Sequence, residues 1–130
     1  MLKIAKDILF GILINISITI IEFIITLPFG EPGNFTKEGY TYFISRELLL
    51  TSLPVVLLTY MFTWILKTKS KSEALRRSII WTIIIFLNYL LIGIGNKNLG
   101  EIFGGIGVYV LLISSFVGPI IYSKNVYKTQ

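Results

Sequence analysis

Four apolar runs leave this 130-residue chain little choice of solvent. They cover residues 8–29, 44–66, 78–95 and 102–122. At a rise of about 1.5 Å per residue, each helix would be about 27–35 Å long, enough to cross the hydrocarbon core of a bilayer. Strands fail as an alternative: the runs are too long, and so few strands could not close a barrel in lipid. Mean hydropathy of +0.77, with 54% hydrophobic residues, leaves no room for a separate soluble domain. The expectation is an all-α polytopic membrane protein, a four-transmembrane-helix bundle forming one domain over 1–130.

Charge orients that bundle. Lys3 and Lys6 precede the first run, Lys67, Lys69, Lys71, Arg76 and Arg77 crowd the loop over 67–77, and Lys124 and Lys128 follow the last run. On the other side, Lys37, Arg46 and Lys97 alternate with Glu31, Glu38, Glu47 and Glu101. The positive-inside rule therefore predicts cytoplasmic termini and a cytoplasmic central loop, in a multi-pass protein of the cell membrane. The Ile, Lys and Asn bias points to a bacterial plasma membrane. The net charge of +5 then calls for anionic lipid rather than nucleic acid, with Lys67, Lys69, Lys71, Arg76 and Arg77 as lipid contacts. The basic N-terminus followed by an apolar run is expected to be an uncleaved first helix, because the run is too long for a signal peptide and no cleavage motif follows.

The loops differ in kind. Ser70 and Glu73 have the spacing of a capping box, so the third helix is expected to begin near 71 and run to 95. The outer turn over 96–101 is tight and makes helices three and four antiparallel neighbours. The longer outer loop, 30–43, carries Pro32 and glycines that stop the first helix. Its aromatics Phe35, Tyr40, Tyr42 and Phe43 suit the headgroup region. A glycosylation triplet, Asn34 to Thr36, also lies there.

A helical wheel exposes the chemistry. Gly11, Asn15, Thr19, Glu22 and Thr26 follow one another at steps of three or four and share one narrow face of the first helix. A polar stripe on a membrane helix is expected to face protein or water. Ionised and unpaired, Glu22 would cost on the order of 2.5–3.5 kcal/mol at that depth. Three arrangements relieve it. Glu22 takes up a proton and bonds Asn15, Thr19 or Thr26; it pairs with Arg46, whose stem can reach inward; or it binds a proton or cation as a working site. The last helix carries a small-residue seam, Gly100, Gly104, Gly107, Ser114, Ser115 and Gly118, suited to close packing within the chain or against a second protein.

A small four-helix chain with an acid in its first helix resembles, in outline, the small multidrug resistance exporters. That resemblance implies a carboxylate shared between protons and cationic drugs at Glu22. It covers topology and one residue type; none of that family's surrounding sequence is present, and no family is identified. Histidine and cysteine are absent and Asp7, at the cytoplasmic edge, is the one aspartate. Clustered catalytic groups are therefore missing, and no enzyme, metal site or cofactor is expected. The reading is a non-enzymatic accessory or interaction subunit of a membrane system: a transporter subunit, an envelope-stress component or an immunity-type protein. Its partners would be membrane lipids and another membrane protein or a second copy. The alternative is a small proton- or cation-coupled transporter with Glu22 as its site.

Overall fold

The computed structural model describes residues 2–26 and 37–126. Five helices account for them: α1 (Leu2–Thr26), α2 (Lys37–Ile65), α3 (Lys71–Gly95), α4 (Leu99–Phe103) and α5 (Gly107–Val126), with no strand among the described residues. Four are long and apolar enough to cross a membrane: α1, α3, α5 and the Thr41–Ile65 part of α2. Their outward faces are apolar. Leu53, Leu91, Ile113 and Phe23 are each more than 60% exposed. A surface of that kind suits hydrocarbon and would drive aggregation in water.

Cross-helix contacts give the register. Phe10 meets Phe62 edge to face at 5.7 Å, and Thr26 reaches Glu47, so α1 and α2 are antiparallel. The hydroxyl of Ser78 donates to the carbonyl of Phe116 at 2.8 Å, and the Thr82 and Ser115 hydroxyls lie 3.1 Å apart, so α3 and α5 are antiparallel too. Between them Ile14, Ile18, Val55, Trp81, Ile85, Val108 and Leu111 form a core with no side chain more than 2% exposed. One end of the bundle gathers Lys3, Lys6 and the α2–α3 turn; it is called the basic end below.

Several boundaries differ from the sequence reading for local reasons. α1 already begins at Leu2, because Asp7 is drawn into the core and the turn preceding it follows. α2 begins at Lys37, inside the stretch expected as outer loop, and there Phe43 is buried in the bundle while Tyr42 is exposed. Pro28, Pro32, Phe35, the Asn34 triplet and Lys128 lie outside the described residues. The fourth span is split into α4 and α5 at Gly104 and Gly105. The break leaves the Gly107 N–H free of its own helix, and Ser45 Oγ of α2 accepts it at 2.9 Å. Ser70 caps α3 as expected, its side chain accepting the Glu73 N–H at 3.1 Å.

The small-residue seam divides. Gly107, Ser115 and Gly118 are buried within the bundle, and a Cβ on Gly118 would strike Thr59 and come within 2.9 Å of the Val56 carbonyl. Gly100 faces open space. Ser114 turns back to the Val110 carbonyl at 2.8 Å. The buried α2 hydroxyls of Ser52, Thr59 and Thr63 likewise bond carbonyls of their own helix, at 2.8, 2.9 and 2.6 Å, which lets them enter an apolar core.

Candidate functional site

Two polar clusters sit at opposite ends of the bundle, with the apolar core between them. The first is at the basic end. Asp7, Gly11, Ile14 and Ile18 are the buried residues of α1 and share one face at helical spacing. That face lies on α3, with Gly11 so close that a Cβ would come 3.1 Å from the Trp81 ring. Asp7 is thereby placed fully buried beside the first turns of α3. Its carboxylate takes Arg76 Nε at 2.7 Å and Arg77 Nε at 2.9 Å. Arg77 also pairs with Glu73 at 2.8 Å and donates to the Thr68 hydroxyl. Trp81 Nε1 donates to the Asp7 carbonyl at 2.9 Å. Two guanidinium donors and neighbouring hydrogen bonds compensate the desolvation of one carboxylate.

The second cluster lines a cavity of about 240 Å³ at the other end, among α1, α2, α3 and the α3–α4 turn. Glu22, Glu47, Tyr89, Asn96 and Asn98 supply its polar wall, and Leu48 and Ile102 part of its apolar wall. The Tyr89 hydroxyl donates to the Glu22 carboxylate. Glu47 Oε1 and Asn98 Oδ1 are buried acceptors with no hydrogen-bond partner among the described residues. A wall rich in acceptors suits a ligand that brings donors or positive charge: a proton, a small cation or an ammonium group. One helical turn nearer the basic end, Ile18 and Ile85 are buried.

The predicted stripe on α1 therefore splits between two surroundings. Glu22 faces the cavity, and its hydrogen bond comes from Tyr89 of α3. Thr26 donates to the Glu22 carbonyl at 2.7 Å and also meets Glu47 of α2, while the Thr19 hydroxyl serves its own helix, donating to the Asn15 carbonyl at 3.0 Å. Asn15 and Thr19 line a different space, a lateral groove of about 400 Å³ between α1 and α3, together with Asn88. The Arg46 guanidinium lies 5.6 Å from the Phe43 ring centroid. Of the basic residues read as lipid contacts, Lys67, Lys69 and Lys71 are exposed, whereas Arg77 is only 4% exposed and is committed to Asp7, Glu73 and Thr68.

Three residues central to this arrangement carried only a weak signal in the sequence. By sequence Asp7 is an edge charge, Glu47 is one of several outer carboxylates, and Tyr89 is one aromatic within the third apolar run. Comparison with protein-family models, curated proteins and solved structures returned no match.

Proposed function

We propose that this is a small non-enzymatic integral membrane protein that acts as an accessory or interaction subunit of a membrane system, its basic end facing the cytoplasm. The observation that carries the reading is the lateral groove between α1 and α3. It opens on the apolar exterior, yet Asn15 and Asn88 line it beside Ile12, Ile16, Leu87 and Leu91. Asn15 Oδ1 is buried there with no hydrogen-bond partner among the described residues. Lipid chains offer an amide nothing, whereas a transmembrane helix can meet it with a donor. α1 supports the same role, because Ile8, Ile12, Ile16 and Phe23 leave its outer face uncovered by the rest of the chain.

The acidic cavity favours a second reading, a proton- or cation-coupled transporter using Glu22. Against it, the residues below Glu22 and Tyr89 on α1 and α3 are apolar and closely packed: Ile14, Ile18 and Ile85 are at most 2% exposed.

The chain has no cysteine, so Ile16→Cys provides a unique cross-linking handle in the groove. In native membranes, the expected product is a stoichiometric adduct with one other membrane protein, diminished when Asn15 and Asn88 are both replaced by leucine. Recovery of lipid adducts alone would contradict the interaction reading. A symmetric self-adduct would replace the accessory role with a homodimer.

A further inference from the structure

The basic end carries a basin of about 310 Å³ that the paired arginines do not explain. Lys3 and Lys6 from α1, Leu66, Lys67 and Lys69 from the end of α2 and its turn, and Glu73 and Arg77 from α3 line it. Its one acid is already engaged: Glu73 pairs with Arg77 at 2.8 Å and accepts the Lys69 N–H at 3.4 Å. Arg77 is engaged as well, through Asp7, Glu73 and Thr68. What remains is a ring of four lysines, drawn from two separate parts of the chain, over a buried arginine floor. None of the four is salt-bridged among the described residues.

Lys67 adds an independent sign. It ends α2 in the left-handed region, at φ 52°. Its N–H bonds the Trp64 carbonyl at 3.0 Å and the next N–H, of Thr68, bonds the Thr63 carbonyl at 3.3 Å. That is the Schellman ending, whose left-handed position ordinarily belongs to glycine. A lysine tolerates it less well than glycine, and here its side chain borders the basin.

We propose that this basin is a phosphate-binding site, filled by the phosphate of an anionic lipid headgroup or by free phosphate. Lysine ammonium groups only donate, so the ligand must be anionic and rich in acceptors. A phosphate oxygen cluster matches several converging donors. The lipid source rests on the membrane reading above, which puts the basin at headgroup level; the free-phosphate source does not.

The test uses the full chain in nanodiscs of phosphatidylcholine, with and without phosphatidic acid, and counts retained lipid by native mass spectrometry. Phosphatidic acid should be retained preferentially. Lys67→Gly should weaken that retention about fivefold, the equivalent of ~1 kcal/mol for one basic side chain at a membrane surface. The glycine suits the left-handed position, so folding survives and the loss reports on the charge. Lys124→Gln, exposed at the end of α5 and outside the basin, should leave retention unchanged. If phosphatidic acid is not preferred, but inorganic phosphate raises the melting temperature of the wild type and not of Lys67→Gly, the ligand is free phosphate. No response to either probe, a preference that Lys67→Gly leaves intact, or equal losses from Lys67→Gly and Lys124→Gln would each overturn the proposal.

Discussion

Asp7→Ala should destabilise the fold by about 3–5 kcal/mol, the range seen when one partner of a buried ion pair is removed. The carboxylate is fully buried and meets Arg76 and Arg77 at 2.7 and 2.9 Å. Arg76 is partly exposed and its long stem can carry the charge outward. Arg77 has no such escape, since its side chain is 5% exposed. Alanine at position 7 therefore leaves a guanidinium half-compensated inside the bundle, between α1 and α3. Thermal unfolding in detergent and abundance in membranes should both fall steeply. Asp7→Asn/Arg77→Met should recover much of the loss, because replacing both members of a buried pair by uncharged groups is often near neutral. Wild-type stability in Asp7→Ala would show that the cluster does not hold α1 to α3.

Tyr89→Ala should cost a comparable amount, about 3–5 kcal/mol, as truncation of a large buried aromatic does. Tyr89 is 4% exposed and belongs to the core cluster while its hydroxyl serves Glu22. The two contributions separate. Tyr89→Phe retains the ring and removes the donor, leaving a carboxyl group in the cavity wall without its partner, at about 1–3 kcal/mol. Glu22→Gln keeps an acceptor for the Tyr89 hydroxyl and should change stability by less than Tyr89→Phe does. Thermal melts of the three single variants and of Glu22→Gln/Tyr89→Phe would measure the coupling directly. Additive losses would mean that the Glu22–Tyr89 contact contributes nothing.

The four long helices were legible because length and hydropathy alone decide what can cross a bilayer. Periodicity also identified which face of α1 is polar. A wheel, however, gives a face and not the neighbour it meets. Glu22 takes its hydrogen bond from Tyr89 of α3 and shares the cavity with Glu47 of α2, neighbours that a wheel cannot name. Asp7 was obscure for a related reason: its partners stand 69 and 70 residues away, and charge counting assigned them to lipid. The break before α5 was hidden because Gly104 and Gly105 read equally well as part of a packing seam. The helix starts afresh at Gly107, whose N–H is taken by Ser45 of α2, a neighbour that the pattern of small residues does not name.

With the basic end facing the cytoplasm as proposed, the polar cavity would open at the outer face, and the buried Ile14, Ile18 and Ile85 would seal it from the basic end. Substituted-cysteine accessibility tests it most directly, since the natural chain has no cysteine to remove. A membrane-impermeant maleimide applied to intact cells should label Asn98→Cys. Lys69→Cys should react only after permeabilisation, and Ile18→Cys under neither condition. Labelling of Lys69→Cys from outside would reverse the orientation, and labelling of Ile18→Cys would contradict the sealed floor.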